Sequence, residues 1–504
     1  MKLSLSALVL LLPALALGQD VAEYNRGLNA FNANDYDTAV KSFYGLAERS
    51  TDADVKQKAQ YYLAQALAKK GLPLAASIYA AEIVKAGKSH PSYLDAVQAL
   101  VDLQQRLDDP FLIPAVLDAQ YNDGWKALPP LVLARVNYLI ATSRVRGDKL
   151  EEARALLLTV PKESNLYAKA RYLLGVVYSN PRFPGGAKSQ EAISAFEEVV
   201  NLTDRKQLDF EKTRQLAMLG LGREYYGAGD YAKSVEWYER VPRFSQFWDQ
   251  ALFENGFARF RNEDYGGALG SLQALHAPQF EGAFQPESWM LKSTVYHFSC
   301  LFPESKASME AFERIYLPMG EKLKPLVEAK TDDYSADYAR VANPKGDELP
   351  RPVLLWVRSN ERIEGVFDLI REVDEEKQRL NANPAWQGTP VAAELAAYLD
   401  QNRQTLVQTA GKLVHNRLTE AYQNIRKFTN DGDLIRLETT LAEKRLLDQG
   451  VDQRKLLADQ TLHRPGMPAE NWNYWQFQGE FWIDEIGYYQ YTLKRGCPVT
   501  QQKE

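Results

Sequence analysis

Histidine is scarce in this chain and cysteine scarcer. Among 504 residues there are five histidines, at 90, 276, 297, 415 and 463, and two cysteines, Cys300 and Cys497. Only His297 and Cys300 fall three apart, and a stable zinc site takes about four ligands, so no metal centre is expected. Two cysteines so far apart exclude a disulfide framework; they can pair in an oxidising compartment, although two separate buried thiols are the simpler expectation. No glycine-rich phosphate loop and no Gly-x-Ser-x-Gly elbow occurs, which removes the common nucleotide and acyl-transfer sites. No cofactor is implied, and a small-molecule ligand is not expected. There is no Lys/Arg-rich run, and a net charge of -6 is spread along the chain, which argues against nucleic acid. With 45% hydrophobic residues the chain is too apolar to be disordered.

Long apolar runs are missing everywhere except at the start. Residues 1–18 carry one lysine, a short apolar stretch and a small-x-small end at Ala16-Leu17-Gly18, which reads as a secretory signal peptide cut before Gln19. The stretch is shorter than the roughly 20 residues a membrane span needs, and no cysteine follows the cut to carry a lipid. Asp20-Val-Ala-Glu23 then has the form of a capping box, so the mature chain would begin at a helix start. The expected location is periplasmic, with no membrane span after cleavage.

What the chain does contain is a repeat. Residues 222–234 and 256–268 match at a spacing of 34: Gly222 with Gly256, Asp230 with Asp264, Tyr231 with Tyr265, Ser234 with Ala268. Small residues at close helix contacts, aromatics between them and a Gly/Asp/Asn turn make this unit resemble the tetratricopeptide repeat (TPR), a helical hairpin that stacks on its neighbours. The same offsets recur at Gly27, Tyr36, Ala39 and Phe43; at Ala141, Gly147-Asp148 and Ala153; at Gly175, Ala192 and Phe196, with extra residues between; and at Ser293, Ser305 and Met309. A weaker hairpin runs from Ala59 to Ala81, and the signature fades over 91–130. The resemblance implies an all-α fold: a TPR-type right-handed superhelical solenoid of at least six hairpins over 19–341.

Residues 342–352, with Pro344, Pro350 and Pro352, read as a linker. Beyond it, over 353–504, a helical domain is expected, with one helix from Val353 to Leu380 and another from Val391 to Phe428. Leu399, Leu406 and Leu413 fall at heptad spacing, and a turn at Asn430-Asp-Gly-Asp433 would send 434–447 back as a coiled-coil-like hairpin. The end is densely aromatic. Read as a helix, it places Tyr474, Phe477, Phe481 and Tyr488 on one face and Trp475, Trp482, Ile486, Tyr489 and Leu493 on the next. Either these cap the helical domain, or Trp475, Phe481, Trp482 and Tyr489 form a docking surface for a partner or a saccharide.

Catalysis finds little support. Glu287-Ser288 matches the dipeptide of soluble lytic transglycosylases, but the Gly-Leu-Met-Gln companion is absent, and Glu287 after Pro286 reads as a helix-start acid. Glu480 and Asp484, four apart, read as a solvated face. The chain is therefore expected to be no enzyme.

The TPR register places the family's inward positions on Arg135, Tyr138, Arg146, Tyr172, Arg223, Tyr226, Gln250, Phe253, Phe257, Phe260 and Arg261, with Tyr24 and Phe31 in the first unit. Aromatics with arginines are the residue types of interface hot spots, here suited to an extended segment carrying acidic groups. The alternative is that the aromatics pack between repeats and the arginines are solvated. The Trp289–Cys300 unit and the terminal Asp484-to-Cys497 stretch resemble periplasmic TPR proteins of myxobacterial adventurous gliding motility. That likeness implies a scaffold with periplasmic or outer-membrane protein partners; the alternatives are an outer-membrane or peptidoglycan assembly factor, or an envelope enzyme with a TPR targeting domain.

Overall fold

The computed structural model describes residues 11–329, 331–451, 475, 477–491 and 493. Among these residues all regular structure is helical. Sixteen helices form eight successive hairpins. The first four are α1 Leu11–Asn32 with α2 Tyr36–Arg49, α3 Ala53–Lys70 with α4 Pro73–Ala86, α5 Tyr93–Leu107 with α6 Leu112–Gln120, and α7 Pro130–Arg146 with α8 Leu150–Leu157. The next four are α9 Tyr167–Ser179 with α10 Ser189–Val200, α11 Phe210–Gly227 with α12 Tyr231–Glu239, α13 Trp248–Arg261 with α14 Tyr265–Leu275, and α15 Glu287–Phe298 with α16 Phe302–Glu328. Then come α17 Ser335–Ala342, α18 Arg351–Arg358, α19 Glu361–Asn381 and the 59-residue α20 Pro390–Asp448.

One kind of contact explains the glycine in three of the first helices. A Cβ on Gly222 would lie 2.5 Å from the Tyr238 ring, and one on Gly27 2.9 Å from Phe43. Each of these glycines therefore lets an aromatic of the second helix approach the first helix's backbone closely. Gly175 receives Phe196 in the same way, at a longer sequence distance because of the loop between α9 and α10. Serines reinforce the crossing: the Ser234 hydroxyl donates to the Gly222 carbonyl at 2.7 Å, and the Ser293 hydroxyl to that of Ser305 at 2.9 Å.

The turns repeat too. Asn34, Asp148, Gly229, Glu263 and Cys300 all have positive φ, each seven residues after the small residue of its unit. Asp35, Asp230 and Asp264 then cap the following helices, accepting from the amides of Thr38, Lys233 and Gly267. Asp230→Ala should lower stability by removing the acceptor of the Lys233 amide. A lower urea midpoint with an unchanged denaturant slope would show it.

The chain divides into two compact units, residues 1–170 with 361–412, and residues 171–360 with 413–504. In the first unit, α19 and the start of α20 form a helical hairpin tied by Lys377–Asp400 and Arg403–Asp374, with Leu399 and Leu406 buried beneath. The Glu376 carboxylate of α19 accepts the amides of Leu74 and Ala75 at the start of α4, so a neighbouring helix supplies that cap. Tyr44 and Tyr79 both donate to Glu394, at 2.6 and 2.9 Å.

Several local expectations are corrected. Asp20 and Glu23 form no capping box: α1 begins at Leu11, upstream of both, and these carboxylates accept the hydroxyls of Ser50 and Ser42 instead. The expected 353–380 helix is broken at Ser359-Asn360 into α18 and α19. The Ser359 hydroxyl turns back to the Trp356 carbonyl, the local competition that weakens serine in helices. The turn expected at 430–433 is absent, and α20 continues through it. Its second half, within the second unit, is held by Arg436–Glu313, Lys306–Glu443 and His297–Thr439, with a Cβ on Gly432 placed 3.1 Å from the Met309 sulfur. Tertiary contacts on both sides outweigh the turn propensity. The coiled-coil-like pairing is therefore between α19 and the start of α20.

Residues 477–491 are not helical. Gly479 and Gly487, at φ 108° and 97°, bend the chain, and no pair of helical faces forms. Cys300 is fully buried and disulfide-bonded, which replaces the expected free thiol; Cys497 lies outside the described residues.

Candidate functional site

In the second unit, α11, α13 and α15 bring the predicted inward side chains together. Arg223 reaches from α11 to α13 and grips Glu254 with two bonds, of 2.9 and 2.6 Å. Gln250 donates to the same carboxylate at 3.1 Å. Arg223 therefore already has its carboxylate. Arg261 differs: its guanidinium is exposed, lies over the Tyr231 ring at 5.1 Å and donates to the Tyr231 hydroxyl at 2.8 Å. Tyr226 meets Tyr231 edge-on at 5.4 Å, Phe253 meets Phe257 at 5.2 Å, and Phe260 meets Phe298 at 5.5 Å. All six residues are half-buried; the first two pairs each lie within one hairpin, and Phe260–Phe298 crosses from one hairpin to the next.

The predicted residues of the first unit do not make a comparable strip. Arg135 is half-buried, donates to Asn165 at 3.3 Å, and is pushed down by burial against the opposing pull of Asp102. Arg146 is exposed and lies 5.2 Å from the centre of the Phe111 ring, which also carries Arg362 at 5.4 Å. Tyr138 is half-buried on the same helix. Tyr24 and Phe31 pack against Phe43, Tyr36 and Tyr62, as inter-helix core.

The C-terminal aromatics split between two roles. Phe481 and Tyr489 pack against the core around Met218, Tyr238, Trp248 and Leu252, whereas Trp475 and Trp482 stand 71% and 58% exposed. Residues that sequence reasoning missed hold this segment. Arg243 donates to the carbonyls of Ile483, Asp484 and Ile486 at 2.9, 3.1 and 2.6 Å, and lies 4.5 Å from the Tyr488 ring centre. Gly266 and Gly270 of α14 leave room for its backbone. Their spacing of four on one helix, beyond what the repeat requires, was the available signal.

The polar groups nearest to a catalytic arrangement are buried. His276 Nε2 lies 2.8 Å from the Ser288 hydroxyl, and its ring stacks on Trp289 at 3.9 Å. Burial holds His276 well below its ordinary pKa, and pushes Lys292 down to about 8. Ser288 is fully buried and donates to the Gln285 carbonyl at 2.6 Å. Among the described residues no group of three metal-binding side chains converges, and no helix is long and apolar enough to cross a membrane.

Paired helices, two of them in a 34-residue register, with Gly27, Gly175 and Gly222 under Phe43, Phe196 and Tyr238, define an all-α, tetratricopeptide-like helical repeat protein. No family model and no curated protein matches the sequence. Among solved structures, a tetratricopeptide repeat protein from Parabacteroides merdae is similar at 13% identity and TM-score 0.31, over 51% of this chain and 93% of that one. The apo form of RapI is similar at 8% identity and TM-score 0.34, over 77% and 99%. The apo form of the quorum sensor NprR from B. thuringiensis is similar at 13% identity and TM-score 0.31, over 76% and 99%. The repeat assignment rests on the chain's own register.

Proposed function

We propose that this chain is a non-catalytic protein-binding scaffold of the cell envelope, and that the strip formed by Tyr226, Phe253, Phe257, Phe260 and Arg261 is its contact surface. The observation that carries this reading is the set of half-buried aromatic side chains on neighbouring first helices beside the exposed Arg261. Aromatic and arginine side chains give the largest contact energies at interfaces. Because Glu254 already neutralises Arg223, Arg261 is the group that meets an acidic side chain of the partner, while the rings take its apolar side chains. The envelope setting follows from the signal-like first 18 residues, and a place in a gliding-motility assembly from the likeness carried by residues 289–300 and 484–497.

Phe257→Ser combined with Arg261→Glu tests the strip. In-cell cross-linking and mass spectrometry should show the principal cross-linked partner reduced at least about tenfold, the loss of roughly 1.4 kcal/mol or more of contact energy. Thermal melting of the purified variant should stay close to that of the parent. An unchanged set of partners at unchanged stability would remove the strip from consideration.

A further inference from the structure

Helix α14 opens with Tyr265-Gly266-Gly267-Ala268-Leu269-Gly270. Gly267 faces the cap at Asp264, but Gly266 and Gly270, four apart, share another face. A Cβ on Gly270 would overlap the carbonyl oxygen of Tyr489, and one on Gly266 that of Tyr491. The main chain of the C-terminal segment therefore lies directly on the helix backbone. The Tyr491 amide donates to the Gly266 carbonyl at 3.1 Å, and the Tyr296 hydroxyl of α15 donates to that of Tyr491 at 3.0 Å.

The segment is held as a bound peptide would be. It has no helix of its own, and most of the hydrogen bonds that fix it run through its backbone, three carbonyls to Arg243 and one amide to Gly266, with the Tyr491 hydroxyl accepting from Tyr296. Ile486 is its single fully buried anchor, set among Trp248, Tyr238 and Leu252. Gly487 follows in a left-handed conformation, where a Cβ would come within 2.8 Å of the Trp248 ring. Tyr489 then packs inward, while Tyr488 and Tyr491 remain more than 40% exposed. Main-chain hydrogen bonds with one or two side-chain pockets are how extended peptides are recognised in general.

We propose that the glycine face of α14, together with Arg243 and the Trp248 pocket, is a recognition slot for extended segments of the type Ile-Gly-x-aromatic-x-aromatic. Residues 486–491 are its resident ligand, displaceable once the disulfide at Cys300 is reduced. The connection from Val451 to Trp475 spans 23 residues, a reach of up to roughly 75 Å. The segment thus competes for the slot as a tethered ligand, at the effective concentration, on the order of millimolar, that a tether gives. A partner presenting the same pattern binds the slot when the resident segment leaves. This surface is separate from the first-helix strip, and the inference does not depend on that strip being an interface.

The test uses the full chain with a protease site inserted within 452–474, kept under reductant because Cys300 is disulfide-bonded. After cleavage, a fluorescein-labelled synthetic peptide of residues 479–493 should replace the released fragment and bind saturably by fluorescence anisotropy. The uncleaved chain should bind it at least about tenfold more weakly, through tethered competition. Arg243→Ala should weaken peptide binding to the cleaved chain about tenfold, and Gly270→Val should abolish it, with helical melting unchanged. Retention of the native fragment without exchange, or equal binding to Gly270→Val, overturns the proposal. If Gly270→Val fails to fold, Arg243→Ala decides: undiminished binding counts against the slot.

Discussion

Phe196→Ala is expected to destabilise the second unit by about 3–5 kcal/mol, the range for deleting a fully buried phenylalanine. Its ring is 2% exposed and fills the space over two glycines at once: Gly175 of α9, its own hairpin partner, and Gly220 of α11, in the next hairpin. A Cβ on Gly220 would stand 2.8 Å from that ring. Truncation therefore empties the contact within one hairpin and the contact to its neighbour. In a stacked array each hairpin is supported mainly by the adjacent ones, so the loss spreads beyond the mutated unit. Urea unfolding followed by circular dichroism should show the midpoint fall. A cost below about 1 kcal/mol, well under the expected range, would mean the glycine–aromatic contact is not what holds the hairpins together.

Glu376 should make the first unit's stability fall as pH rises from about 4.5 to 7. It is fully buried, and burial outweighs the amides of Leu74 and Ala75, pushing its carboxyl up to about 7. Between its unfolded and folded pKa values the unfolded chain ionises while the folded one keeps its proton. Unfolding thus releases a proton, and rising pH favours it. The shift corresponds to roughly 3 kcal/mol, fully present below about pH 4.5 and lost as pH passes about 7. Glu376→Gln should flatten this dependence while keeping one acceptor for the α4 amides. Glu376→Ala leaves both amides without a partner and should cost on the order of 2–4 kcal/mol at about pH 5. Melting temperatures at about pH 5, 6 and 7 for the three proteins check both statements. A Glu376→Gln variant with the parent's slope would assign the pH dependence elsewhere.

The repeat was legible because its packing rule is local. Gly222 with Tyr238 and Ser234 with Gly222 are contacts within one hairpin, so residue type at fixed offsets reveals them. Over 91–130 the helices α5 and α6 are present, but the signature is not, because Ala96 and Leu117 bury themselves without the glycine–aromatic pair. The C-terminal helices were harder to read. Asn430-Asp-Gly-Asp433 has good turn chemistry, and only contacts from α15 and α16, more than a hundred residues away, keep it helical.

Site residues were legible in position and less so in role. Arg223 and Arg261 both fall on the strip, yet one is consumed by Glu254 and the other is not, and that difference depends on which side chain of the neighbouring helix faces each. The aromatic end misled for a different reason. Rings at close spacing fit a helical wheel as readily as an extended path, and the deciding residues were Gly479 and Gly487, whose left-handed backbone stops a helix.

Photo-crosslinking from single positions tests the scaffold reading most directly. A photoreactive phenylalanine analogue placed at Phe257 in the living cell should give a discrete cross-linked partner, and the same analogue at the exposed Glu236 of α12 should give none. No product at Phe257, or the same product from both positions, would contradict the assignment of this strip as the contact surface.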